Sequence, residues 1–276
     1  MSTTRFHLHL VSDATGDTVH SVARACLVQF DDAEPIEHIW SMVRTAPQMN
    51  RVLSNIEANP GVVLFTLVDE ALRAILQDGC RRIPVPAIPV LDPVIAVLAS
   101  HLGRKSRGLP GQQHLLDTEY FHRIDAMTYA MAHDDGQSPW GLNDADVILV
   151  GVSRTSKTPT CIYLANRGIK AANIPMVPGV ALPLELFAAT KPLIIGLTND
   201  PERLIQVRRN RLSLLHQDAD TRSDYTDATA VRDEVQAARR LFTERRWPVI
   251  DVTRRSIEET SAAIVTLLAK RQEADA

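Results

Sequence analysis

The residues best equipped for chemistry form one run, Gly151-Val152-Ser153-Arg154-Thr155-Ser156-Lys157-Thr158. A glycine, four residues, a small residue, then lysine and a hydroxyl is close to the spacing of loops that wrap phosphates. In such a loop successive backbone N–H groups and a helix N-terminus offer partial positive charge to the phosphate oxygens. Lys157 would reach the outer phosphates, Thr158 could ligate a magnesium ion, and Arg154 adds a fork-shaped donor suited to phosphate. All eight positions, Gly151 to Thr158, are therefore candidate nucleotide-binding residues. Ser156 departs from the pattern, which has glycine there. If that position needs a left-handed backbone, serine is the poorer residue; if it is already helical, serine fits.

Phosphoryl transfer also needs a carboxylate to hold metal or accept a hydroxyl proton. Asp251, at the end of the apolar run in WPVIDVT, and Asp13, in the turn SDATGDT, are the candidates on chemical grounds, beside Lys157 and Arg154 as the catalytic cations. Asp13 has a plainer alternative as a helix cap. Asp134 and Asp135, next to His133, and Asp200 read individually as solvated or capping charge. His7 and His9 alternate on one strand face without metal-ligand spacing. Arg208 and Arg209 in PERLIQVRRNRL read as a solvated helix face, with recognition of phosphate or of an acidic surface as the alternative.

These residues must be positioned by the elements around them. DVILV (146–150) is a buried strand leading into the loop, and the apolar pattern after Thr158 is a helix. Before it come the strands FHLHLV, IEHIW and GVVLFTLV, each followed by a helical pattern, and after it the strands NIPMV, KPLIIGL and WPVID. The proline-rich stretch from Ile83 to Pro93 predicts an irregular connection. Asp200-Pro201, Asp227 and the capping-box spacing Ser256 to Glu259 mark helix starts. Strands alternating with helices predict an α/β fold of mostly parallel sheets covered on both faces. With GRKSRGLPG (103–111) as linker, the expected domains are 1–108, an α/β domain, and 109–276, a P-loop-type nucleotide-binding domain. No internal repeat of fixed period is visible.

Composition narrows the function classes. At 276 residues the chain can bury one large or two modest cores. A net charge of −3 offers no support for binding nucleic acid or an anionic membrane. No run of ~18 apolar residues occurs, and the N-terminus lacks a signal-peptide core, so a cytoplasmic location is expected. Cys26, Cys80 and Cys161 form no C-x-x-C pair and read as small buried hydrophobes.

Beyond these features the chain resembles the bacterial pyruvate, phosphate dikinase regulatory proteins. The resemblance rests on HLVSDATGDT, FHRIDAMTYAMAHDDG, ADVILVGVSRTSKTPTCIYLANRGIKAANIPMVPG, GLTNDPERLIQVRRNRL and WPVIDVTRRSIEET, in that order along nearly the whole chain. A sister group that regulates phosphoenolpyruvate synthase tends to carry glycine at the position of Ser156, so the SRTSKTP form is more similar to the dikinase regulators. The resemblance implies a bifunctional serine/threonine kinase and phosphorylase. ADP would be the phosphoryl donor to a threonine of the dikinase, inactivating it; inorganic phosphate would remove that phosphate by phosphorolysis, releasing pyrophosphate. It implies ADP binding at Gly151 to Thr158 and assigns no general base. Homo-oligomer formation and a magnesium requirement stay open. The rival readings are a kinase of a small metabolite and a nucleotide-binding switch without catalysis.

Overall fold

A computed structural model of the chain describes residues 4–111, 118–214 and 223–275. They fall into two compact units, residues 1–115 and 116–276.

The first unit runs β1 (Thr4–Ser12), α1 (Asp17–Leu27), β2 (Ala33–Trp40), α2 (Ala46–Ala58), β3 (Gly61–Thr66), α3 (Glu70–Arg82), β4 (Ala87–Pro89) and α4 (Asp92–Leu102). Its sheet has the order β2-β1-β3-β4, all parallel. Alternate residues of the central strands face opposite layers. Leu8 and Leu10 pack with Val19 and Ala23 of α1, whereas Val63 and Phe65 pack with Met49, Val52 and Ile56 of α2 and Leu76 of α3. The proline-rich stretch is less irregular than its composition predicts: Ala87–Pro89 pairs with β3 as an edge strand, where a missing N–H costs least.

The second unit runs α5 (Thr118–Ala132), two 3-10 turns (Asp134–Gly136 and Pro139–Asp144), β5 (Val147–Val152), α6 (Lys157–Ala165), β6 (Ala171–Met176), α7 (Leu184–Ala188), β7 (Leu193–Thr198), α8 (Pro201–Leu214), α9 (Ser223–Thr226), α10 (Ala228–Glu244), β8 (Val249–Asp251) and α11 (Ile257–Asp275). The order β6-β5-β7-β8 is again all parallel. Ile148, Val150 and Val152 join Leu204, Val231, Val235 and Phe242 on one face; Val147 and Leu149 join Ala126, Leu164 and Ile264 on the other. Both faces of β5 are buried, which is why it reads as an uninterrupted apolar run.

The expected helix starts are capped as their sequences predict. Asp200 accepts from Arg203 N, Asp227 from Thr229 N and Ala230 N, and Ser256 and Glu259 exchange both bonds of a capping box. Cys80 and Cys161 are buried, but Cys26 is exposed. Helix α1 buries only Val19 and Ala23 and ends at Leu27, whose side chain takes the inward direction that remains.

Candidate functional site

In each sheet the chain starts at an inner strand, adds the second strand on one side and the third on the other. Crevices outside the carboxyl ends of strands at such a reversal are where open α/β sheets bind ligands. In the second unit the reversal lies between β5 and β7, and the segment leaving β5 is the loop singled out above.

The strand runs on through Gly151 to Val152, so Gly151 does not serve to end it. Its need for glycine is spatial: a Cβ there would lie 2.6 Å from Leu197 O and 2.9 Å from Thr155 Oγ1. Arg154 (φ 72°) and Ser156 (φ 59°) both take left-handed backbone. Serine at the second-glycine position is therefore held where a side chain costs roughly 1 kcal/mol, and such strain persists only where surroundings impose it. Ser156 then starts α6: its carbonyl accepts from Thr160 N at 3.1 Å and Thr160 Oγ1 at 2.7 Å.

Lys157, the first residue of α6, is buried, and its Nζ donates to Val152 O at 2.9 Å. Thr155 Oγ1 donates to the same carbonyl at 3.0 Å. Burial lowers the Lys157 pKa to about 8, against the opposing pull of the Asp135 and Asp134 carboxylates. A cation short of solvation and turned back on its own loop gains from an anion brought beside it.

Thr158 meets the carboxylates that precede β5. Its hydroxyl donates to Asp134 Oδ1 at 2.8 Å and accepts from Asn173 Nδ2 at 2.9 Å. The same amide donates to Asp134 Oδ1 at 2.6 Å and Asp135 Oδ1 at 3.2 Å. Asn173 is fully buried in β6, and its Oδ1 has no partner among the described residues. Asp135, exposed, has left-handed backbone (φ 49°) beside Gly136. Thr158 Oγ1 and the Asp134 carboxylate are oxygen ligands of the kind a hard cation takes while completing its shell with phosphate and water, and the Asn173 amide holds them through its N–H groups.

The other end of the loop is braced by α8, α9 and α10. Tyr225 OH lies 3.3 Å from Ser153 Oγ and accepts from Arg154 Nε at 3.3 Å. Burial would raise the Tyr225 pKa, but the bonds to Ser153 and Arg154 and the charges of Arg154 and Arg208 outweigh it and bring it below the usual phenol value. Arg208 corrects the expectation of a solvated face: it is 1% exposed, pairs with both oxygens of Glu234 at 2.6 and 3.2 Å, donates to Tyr225 O and Ser153 O, and stacks on the Tyr225 ring. Beside Val152 and Tyr225 opens a cavity of about 850 Å³, walled by Met176, Val177 and Pro178 on one side and by α10 on the other.

Of the residues expected to act, Arg154, Lys157 and Thr158 lie together in this loop. Asp251 ends β8, two strands from β5, and accepts from Thr253 N at 2.9 Å and from Thr253 Oγ1. Asp13 belongs to the first unit, at that unit's own reversal between β1 and β3; it is buried and its Oδ2 accepts from Val68 N at 2.7 Å rather than capping α1. Asn173 and Tyr225 carried no weight in the sequence. The readable signal for Asn173 was a polar residue inside an apolar strand; Tyr225 had none.

The model of the kinase/pyrophosphorylase family matches residues 8–265. The chain is 58% identical to a protein of Paramagnetospirillum magneticum over 97% of this chain and 86% of that one. It is 56% identical to one of Caulobacter vibrioides over 96% and 84%, and 54% identical to one of Bradyrhizobium diazoefficiens over 97% and 95%. All three relatives are named as regulatory proteins of pyruvate, phosphate dikinase.

Proposed function

The chain belongs to the kinase/pyrophosphorylase family, and on that premise we propose that it regulates a pyruvate, phosphate dikinase by reversible phosphorylation of a threonine. The observation that carries the reading is the loop from Gly151 to Thr158, which leaves the inner strand of a parallel sheet, opens α6, and sets Lys157 and Thr158 beside Asp134 and Asp135.

In the forward reaction the loop N–H groups and the N-terminus of α6 bind the diphosphate of ADP. Lys157 leaves Val152 O for the outer phosphate, and Arg154, braced by Tyr225, neutralises an equatorial oxygen. The threonine oxygen attacks the β-phosphorus in line with the bond to the bridging oxygen; that bond breaks, AMP leaves, and the hydroxyl proton passes to a carboxylate. We assign proton acceptance to Asp135, which is exposed and only weakly held by Asn173. Within the second unit Asp251 accepts from Thr253 N in its own turn after β8, and within the first unit Asp13 accepts from Val68 N. In the reverse reaction an oxygen of inorganic phosphate attacks the phosphothreonine phosphorus, the bond to the threonine oxygen breaks, the phosphate's proton passes by way of Asp135 to that oxygen, and pyrophosphate is released. Both transfers develop charge on the same equatorial oxygens, so one set of cations serves both. Thr158 and Asp134 would hold a magnesium ion, with Asn173 orienting them; bound there, it would neutralise phosphate charge. No helix among the described residues is long and apolar enough to cross a membrane, and the reaction is assigned to the cytoplasm.

The test is to incubate the protein with purified dikinase, and separately with phosphoenolpyruvate synthase, under ADP or ATP, and to map phosphorylation by mass spectrometry. A phosphothreonine on the dikinase with ADP is expected. Modification of the synthase alone would move the target to the sister branch, and turnover of a metabolite with ATP in place of both would contradict the reading.

A further inference from the structure

The cavity beside the loop takes no part in the chemistry above. We infer that it binds the nucleoside of the donor, with the ribose at Asp233 and the base farther along α10, an inference that rests on reading Gly151 to Thr158 as a diphosphate cradle.

The cavity and the cradle share a border. Val152, the last strand residue before the loop, lines the cavity, and so does Tyr225, whose hydroxyl touches Ser153 and Arg154. A nucleotide whose phosphates lie on residues 153–158 therefore enters the cavity with its next group. Its volume of about 850 Å³ accommodates a nucleoside, since small-molecule sites span roughly 300–1,000 Å³. Met176, Val177 and Pro178 form an apolar wall, and Val177 is 49% exposed as it stands. Opposite them α10 turns Ala230, Asp233 and Ala237 to the cavity while Val231, Val235 and Ala238 enter the core. A flat base between apolar side chains and short alanines is the packing such walls allow.

The polar groups fall in the order a nucleoside requires. Glu234 is committed to Arg208, but Asp233 one residue earlier is exposed and has no hydrogen bond or ion pair among the described residues. A free carboxylate on the wall of a cavity that borders a phosphate cradle suits the ribose hydroxyls, from which it accepts. Arg240 lines the same cavity seven residues on, roughly 10 Å along the helix, and supplies a guanidinium at the base end, where planar stacking is available.

Calorimetric titration of the full chain with ADP and with pyrophosphate, for the wild type, Ala237→Trp and Asp233→Asn, tests this. Ala237 lies on an exposed stretch of α10, so the indole fills the cavity without entering the core. Ala237→Trp is expected to weaken ADP by about tenfold or more and to leave pyrophosphate within about twofold. Asp233→Asn is expected to erase the wild type's preference for ADP over its 2′,3′-dideoxy analogue. Unchanged ADP affinity in Ala237→Trp, or equal losses for both ligands, would overturn the inference and leave the cradle standing. A wild type that binds pyrophosphate but not ADP would do the same; one that binds neither would overturn the cradle as well.

Discussion

At the scale of single residues, the site turns on a buried lysine and a carboxylate pair. The free Lys157 pKa is lowered to about 8 because burial disfavours its charge. A bound diphosphate favours the charged form and raises that pKa. ADP affinity is then fully present below pH 8 and falls as pH rises through 8 toward the higher bound value, by up to about tenfold per pH unit. Calorimetry at pH 7, 8 and 9 measures this, and a flat profile would contradict the role given to Lys157. Asp134→Asn puts an amide where Thr158 and Asn173 donate. It should lower kcat by roughly a hundredfold and raise the magnesium concentration needed for half-maximal rate, with little change in Tm. The spacing of Gly151, Lys157 and Thr158 was legible in the sequence because a phosphate loop is local. The carboxylates at 134 and 135 were visible but unplaced, since their meeting with Thr158 depends on a turn docked along β6, 24 residues away in sequence from Thr158. Ser156 could not be settled by sequence, as its left-handed backbone is imposed by the loop rather than by its own type.

At the scale of elements, α10 does two jobs. Val231, Val235, Ala238 and Phe242 follow the helical period and enter the core, and this stripe was readable from spacing. Glu234 flanks that stripe, and its pairing with Arg208 joins α8 and α10 and holds Tyr225 against the loop. That pairing was not readable: an arginine in PERLIQVRRNRL has the same sequence signature whether it faces water or a carboxylate. Arg208→Met leaves Glu234 uncompensated and should cost about 3–5 kcal/mol of stability, whereas Arg208→Met with Glu234→Gln should cost much less. Chemical denaturation of the single and double variants distinguishes them; equal losses would show that packing of the Arg208 stem, not the ion pair, is what matters.

At the scale of the whole molecule, two units repeat one strand order, second-first-third-fourth, without a shared sequence repeat. The order demands only apolar alternation and short connections, conditions that many unrelated sequences meet. Each unit thus has its own reversal point, with Asp13 at one and the phosphate-type loop at the other. The folded chain should also show one fast thiol of its three, because Cys26 is exposed while Cys80, its pKa raised to about 11 by burial, and Cys161, raised likewise, are enclosed. Counting thiols with a disulfide reagent before and after denaturation checks this; two or three fast thiols would mean that a core opens easily. The role proposed for the loop from Gly151 to Thr158 is to deliver the β-phosphoryl of ADP to a protein threonine. It is tested most directly by single-turnover transfer of label from ADP labelled in its β-phosphate to dikinase, comparing wild type with Lys157→Ala at saturating ADP. Label is expected on a dikinase threonine with the wild type and none above background with the variant; equal labelling by both would mean that the loop does not carry the transfer.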